Sequence, residues 1–196
     1  MRLISMAPSA LALAALALSA CAPARTESAL GPVQCPGISV VGNDPAGNDP
    51  DFTRYGFPRV AATVRFIPGQ PTTISADPLT VALPGDLYTE PLDFELLTGS
   101  ASDWQPCVGN DHLVLAPYAY RVKEVATGRL VSRFDKPAQV TIRDPRLDSS
   151  STYWTTTAEN PPTAEPSSNP YSIDGTTCMV ENPAARRGWF LTAPKR

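Results

Sequence analysis

Acidic residues are concentrated in one short segment near the start of this chain, where carboxylates could bind a cation. The tripeptide Gly-Asn-Asp occurs at residues 42–44, 47–49 and 109–111. The first two copies bring Asp44 and Asp49 close to Asp51, and Ca²⁺ binds about six to eight such oxygen ligands. However, the spacing matches no EF-hand loop, and Pro45 and Pro50 fix the backbone as turns require. We therefore predict turns here, with calcium at the three aspartates as the alternative.

Acid–base catalysis would have to use the only histidine of the chain. His112 follows Asp111, and a carboxylate can orient a histidine that acts as a general base. A serine hydrolase also needs an activated serine, but the chain has no G-x-S-x-G elbow. One histidine does not complete a zinc or copper site, and no phosphate-binding glycine motif is present. We therefore predict no catalytic residues, no cofactor and no enzymatic activity.

The cysteine at position 21 ends an export signal. Met1 and Arg2 supply positive charge, and the Ala/Leu run of residues 10–18 follows. This run is shorter than the roughly 20 residues of a membrane span. Residues 18–21, Leu-Ser-Ala-Cys, resemble a bacterial lipobox, and the resemblance implies cleavage before Cys21 and lipidation of its thiol. The alternative is an ordinary signal peptide that leaves Cys21 unmodified.

The residues after Cys21 predict how the chain is held in the cell. Position 22 is Ala and not Asp, which in lipoproteins implies sorting to the outer membrane where a cell has two. Residues 22–34 mix proline, glycine and small polar residues without periodicity, as in a flexible tether. We expect a signal peptide at 1–20, the lipidated cysteine and tether at 21–34, and one domain at 35–196. The exported domain would then be anchored to the cell envelope by lipid.

Three cysteines remain for folding if Cys21 carries lipid: Cys35, Cys107 and Cys178. An oxidising compartment favours one disulfide among them. Their spacing leaves all three pairings open, and we place Cys107 with Cys178 first and Cys35 with Cys107 last. The remaining cysteine is expected to be a buried, inert thiol.

Composition and periodicity predict an all-β fold. The chain has 22 prolines, spread between short β-branched and aromatic runs, which favours strands over helices. Alternating apolar residues predict strands at 59–67, 79–83, 92–97, 112–125 and 138–142. The apolar run at 188–191 predicts a final strand. Residues 130–134 are expected to return as a hairpin partner of the fourth strand. Such a series predicts a single antiparallel β-sandwich.

The net charge of −3 offers no basic footprint for nucleic acid.

Aromatic residues in polar surroundings are the candidates for binding. Residues 148–170 are rich in Ser, Thr and Pro and predict a long surface loop. Tyr153 and Trp154 lie inside this loop, and Trp104 lies in another polar segment. Exposed side chains of this kind could stack on glycan or form a protein interface. Arg186 and Arg187, just before the last strand, are expected to mark a charged sheet edge.

Two segments resemble a known family of sandwiches. They are "PLTVALPGDLYTEPLDFELL" at 78–97 and "FDKPAQVTIRDPRL" at 134–147. They are similar to bacterial ZU5-like and related immunoglobulin-like domains, in which a strand, a Pro-Gly turn and an aliphatic strand precede a Phe-x-Lys-Pro strand entry. Asp86 stands where that family usually has alanine. The resemblance implies a structural or interaction domain without a catalytic centre.

These observations predict a non-enzymatic, lipid-anchored envelope protein that docks onto another envelope or surface-layer protein. The alternative is a lipoprotein that binds a glycan or a small ligand in an aromatic-lined cleft. The expected partners are the membrane, through the lipid, and a protein, but not nucleic acid.

Overall fold

The computed structural model describes residues 32–38, 51–159, 161–185 and 187–196. The predictions for Cys21, for the signal peptide and for Asp44 and Asp49 lie outside these residues. The described strands are β1 (Val33–Gln34), β2 (Arg59–Phe66), β3 (Thr72–Ala76), β4 (Leu79–Leu83), β5 (Leu92–Thr98), β6 (His112–Glu124), β7 (Arg133–Arg143), β8 (Thr152–Thr156), β9 (Thr163–Pro166), β10 (Tyr171–Asp174), β11 (Thr177–Ala184) and β12 (Gly188–Pro194). One short helix, α1 (Ala101–Trp104), precedes β6. No helix in the described part of the chain is long and apolar enough to cross a membrane.

The strands form two antiparallel sheets that pack against each other. The seven-stranded sheet has the order β1-β9-β8-β12-β6-β5-β2, and the five-stranded sheet has the order β10-β11-β7-β4-β3. A large apolar cluster, with residues from both sheets, fills the space between them. The predicted all-β sandwich is therefore confirmed.

Alternation along individual strands explains how this core forms. Leu79, Val81 and Leu83 of β4 are buried, whereas Thr80 between them is exposed. A strand points successive side chains to opposite faces, so one apolar face meets the other sheet. Burying each large aliphatic side chain contributes about 1.5–3 kcal/mol.

The segment after β6 forms the predicted hairpin only in part. Leu130 bridges Lys123 and the Val131 N–H donates to the Val122 carbonyl at 2.9 Å, but the chain then enters the five-stranded sheet as β7, between β11 and β4. Phe134 lies in the apolar cluster between the sheets and stacks on Phe94 with ring centroids 6.1 Å apart. Burial of this ring accompanies the crossing from one sheet to the other.

The prediction of a surface loop at 148–170 is also wrong, because this segment contains β8 and β9. Thr, Tyr and Trp favour strands, and β8 lies inside the seven-stranded sheet between β9 and β12. β12 itself pairs with β8 and β6. Arg187 therefore precedes a central strand and does not mark a sheet edge, whereas Arg186 lies outside the described residues.

A second apolar cluster, which we call the outer cluster, lies on the outer face of the seven-stranded sheet. Its members are Cys35, Ile38, Phe52, Tyr55, Phe57, Leu97, Trp104, Cys107, Val114, Ala119, Trp154, Ala164 and Phe190. Residues 32–38 and 51–57, which we call the strap, and the segment around α1 cover the sheet here. The strap begins with β1, so Val33 and Gln34, expected in the tether, pair with β9.

The disulfide joins Cys35 of the strap to Cys107, with Cα atoms 4.8 Å apart. The pairing that we placed first, Cys107 with Cys178, is wrong. Cys178 is buried in the cluster between the sheets, on β11 of the five-stranded sheet. The seven-stranded sheet separates this position from Cys107, which belongs to the outer cluster.

Candidate functional site

The tryptophans predicted to be exposed are buried. Trp104 is 0% exposed and Trp154 is 6% exposed, so neither forms a surface platform. The ring of Trp104 packs on Phe57 and on Phe190, with centroids 5.0 and 5.6 Å apart. Trp154 stacks on Phe190 at 5.9 Å, and its indole N–H donates to Thr192 Oγ1 at 3.1 Å. Both rings stabilise the outer cluster.

Tyr153 lies in a polar network inside the sandwich. Its hydroxyl is 2.6 Å from the hydroxyl of Tyr118 and donates to Asn182 Oδ1 at 3.2 Å. The Asn182 amide donates in turn to Tyr118 at 2.9 Å. Burial raises the pKa of Tyr118 and of Tyr153 well above the usual value. These phenols therefore stay protonated and act as hydrogen-bonding groups of the core.

His112 contacts one carboxylate at the surface. Its Nδ1 lies 3.1 Å from Asp111 Oδ1, and the hydrogen bond from His112 lowers the pKa of Asp111. The backbone carbonyl of His112 accepts from the Gln105 amide at 2.7 Å. Among the residues that the structure describes, no three histidine, cysteine, aspartate or glutamate side chains are grouped so that they could hold a metal ion.

Of the three aspartates predicted as calcium candidates, Asp51 lies among the described residues, and its carboxylate has hydrogen-bond partners within the fold. Its Oδ1 accepts from the backbone N–H and the hydroxyl of Thr53, at 3.1 and 2.6 Å. Its Oδ2 lies 3.2 Å from Arg121 Nη1. Burial acts to raise the pKa of Asp51, but the bonds from Thr53 and Arg121 outweigh it and leave this pKa lowered. The carboxylate caps a turn and forms an ion pair.

A charged part of the described surface lies beside Asp51, on the outer face of β2, β5 and β6. This charged face consists of Thr63, Arg65, Asp93, Glu95, Arg121 and Lys123. The register places Asp93 between Arg65 and Lys123 in one row. In the next row Glu95 lies between Thr63 and Arg121. An acidic strand thus lies between two neighbours that carry basic residues.

Ion pairs organise this face. Arg65 Nη2 lies 2.6 Å from Asp93 Oδ1, and both side chains are about half exposed. Arg121 binds Glu95 and Asp51 together and is only 21% exposed. The hydrogen bond to Glu95 is the largest cause of the raised pKa of Arg121. Lys123 is exposed.

The charged face lines an open cleft of about 500 Å³. The cleft offers cationic and anionic hydrogen-bonding groups but no nucleophilic cysteine or serine among its lining residues. A second hollow, of about 390 Å³, lies on the five-stranded sheet beside Tyr171, Met179 and Glu181. Met179 in this hollow is 49% exposed.

The charged face was not predicted from the sequence, although the sequence contains one indication of it. Asp93 and Glu95 alternate with the buried Leu92, Phe94 and Leu96, which places both acids on the polar side of a strand. Nothing local indicates that β2 and β6 bring arginines to either side of them. No protein-family model matches this chain, and no curated protein matches it.

Proposed function

We propose that this chain is a non-enzymatic, lipid-anchored protein of the cell envelope that docks onto another envelope or surface-layer protein through its charged face. One observation carries the proposal: the outer face of the seven-stranded sheet is divided. Along β5, Leu97 is covered by the outer cluster, whereas Asp93 and Glu95 on the same side remain partly exposed. The open half is the charged half.

The charge pattern supports a protein partner. Charges of both signs arranged in rows give specificity and faster association, because only a complementary surface satisfies all of them. Nucleic acid would favour a surface of one positive sign. The half-exposed pair Arg65–Asp93 remains accessible to groups of a partner.

The same pattern disfavours one mode of self-association, in which a twofold axis passes through β5. Acids follow β5 and bases follow β6. Consider two copies packed face to face about a twofold axis that passes through β5, either parallel or perpendicular to the strand. Asp93 and Glu95 of one copy would then face the acidic residues of the other. Like charges so close together cost free energy.

Anchoring and export rest on two supports. The lipobox at residues 18–21 supplies the lipidation site Cys21, and the sorting residue Ala22 favours the outer membrane. A disulfide between Cys35 and Cys107 suits an oxidising exported compartment.

The glycan alternative was based on aromatic residues expected to be exposed. These residues, Trp104, Tyr153 and Trp154, are buried. The hollow beside Tyr171 and Met179 is where such a ligand would bind if the alternative held. It therefore provides the control surface.

Site-specific photo-crosslinking in membranes tests the proposal. A photoreactive residue at Thr63 reports on the charged face, and one at Thr80 reports on the exposed face of the five-stranded sheet. We expect a discrete protein adduct from Thr63, lost in the Arg65→Glu/Lys123→Glu variant. Adducts from Thr80 alone, or a Thr63 adduct that survives charge reversal, would contradict the charged face as the docking surface.

A further inference from the structure

The strap is attached to the sheet in a way that differs from the rest of the fold. Its only strand is β1, whose two residues pair with Ala164 and Thr163 of β9 and are both exposed. Next to them, the Cys35 backbone N–H donates to the Pro162 carbonyl at 2.8 Å. So short a ladder contributes little cooperative stability.

Apolar packing beneath the strap is separate from the main core. Phe52, Tyr55 and Phe57 belong to the outer cluster, and the cluster between the sheets contains none of them. Phe52 packs on Tyr55 and Phe57 with centroids 5.9 and 6.1 Å away. Regions with their own small cluster can open locally while the larger core stays folded.

Side-chain links at both parts of the strap fasten it more firmly. Cys35 is joined to Cys107, the last residue of the helical turn Gln105–Cys107 that follows α1. At the other part of the strap, Asp51 is paired with Arg121. Since the Cys35 and Cys107 side chains are buried at 0% and 3% exposure, a reagent reaches the sulfurs only after the strap has moved.

We propose that the strap opens as a unit distinct from the sandwich, and that the Cys35–Cys107 disulfide is the latch that keeps the N-terminal end of the domain attached. Under the proposed function, this end receives any pull from the membrane anchor. The latch transmits that pull past the two-residue strand β1 to Cys107 and the segment that packs on the seven-stranded sheet. The opening itself does not depend on lipidation.

Hydrogen exchange of the mature chain carrying Cys21→Ser tests the latch without any membrane. In the Cys35→Ser/Cys107→Ser variant we expect residues 32–38 and 51–57 to exchange at least about tenfold faster. β6, β7 and β12 should change by less than about twofold. The control is Cys178→Ser, which removes a sulfur outside the strap and should leave strap exchange unchanged. Unchanged strap exchange, or equal acceleration throughout the sandwich, would overturn the proposal.

Reduction of the unmodified pair gives a second readout if the double variant fails to fold. A small dithiol would convert the disulfide into two thiols, and the dithiol would become a cyclic disulfide, with two electrons and two protons transferred. Because strap opening exposes the sulfurs, Phe52→Ala should speed reduction at least about tenfold while the strands between the sheets stay protected from exchange. Equal reduction rates in both proteins would contradict a strap that gates access. Neither measurement depends on a docking partner. A failure of the latch proposal can therefore be distinguished from a failure of the proposed function.

Discussion

Arg121 Nη1 lies 3.2 Å from Asp51 Oδ2, and this contact joins the strap to the charged face. The same guanidinium binds Glu95 on the neighbouring strand. One cation therefore holds two carboxylates that come from different parts of the chain. Because its side chain is only 21% exposed, the charges are partly shielded from solvent, and their loss should be felt in stability.

Arg121→Ala should lower the free energy of unfolding by about 1–3 kcal/mol, since it removes the guanidinium that binds both Glu95 and Asp51. Urea unfolding of the mature chain measures this change. Arg65→Ala is the control, because its pair with Asp93 is about half exposed and such pairs contribute at most about 1 kcal/mol. Equal losses in the two variants would contradict a special role for Arg121.

Glu124 should make the protein sensitive to acid. Its carboxylate accepts from Arg129, Thr127 and Tyr88, with the bond from Arg129 as the largest cause, and these bonds hold its pKa at about 2. A pKa lowered by folding gives stability that is present above the unfolded value of 4.5 and is lost as pH falls towards 2.

Melting temperature as a function of pH measures this contribution. Glu124→Gln should melt lower than wild type near neutral pH, and the difference should shrink between about pH 4.5 and pH 2. Other acids contribute to acid unfolding in both proteins, so the difference between the curves isolates Glu124. A constant difference across this range would show that the charge of Glu124 is unimportant.

Tyr153→Phe should destabilise the sandwich by about 1–3 kcal/mol, because it removes a buried partner from Tyr118 and Asn182. Denaturant unfolding gives the value. Tyr171→Phe serves as the matched control: its ring lies 5.8 Å from that of Tyr153, but it is only partly buried. We expect less than about 0.5 kcal/mol there.

Trp154→Ala should unfold the outer cluster and lower stability by about 3–5 kcal/mol, as large-to-small changes of buried aromatics do. Trp154→Phe keeps an aromatic ring against Phe190 and should cost less. Thermal melting compares the two variants. A folded Trp154→Ala variant of normal stability would contradict the packing role.

Under the proposed function, Cys21→Ser should move the protein from the membrane fraction to the soluble exported fraction, because it removes the proposed site of the anchoring lipid chains. Fractionation followed by mass measurement of the N-terminal peptide checks it. Cys178→Ser is the control and should remain with the membrane. Unchanged location and peptide mass for Cys21→Ser would remove lipidation from the proposal.

The failure at Trp154 shows where local patterns mislead. Its Ser/Thr-rich neighbours suggested a surface loop, but threonine is also a β-branched strand former. The ring points away from the space between the sheets, and it is buried because the strap and the segment around α1 cover that face. Nothing near residue 154 in the sequence indicates this cover.

The sequence by itself determined the strands whose side chains alternate, such as β4, β5 and β7, because period-two alternation is a property of neighbouring residues. It also determined that Asp93 and Glu95 lie on the polar side of β5. Only the tertiary structure decided that β5 lies between β2 and β6, that Cys35 pairs with Cys107, and that half of the outer face is covered. The physical reason is that strand pairing and burial depend on contacts between residues far apart in the chain. A local sequence pattern carries no information about the free energy of such contacts.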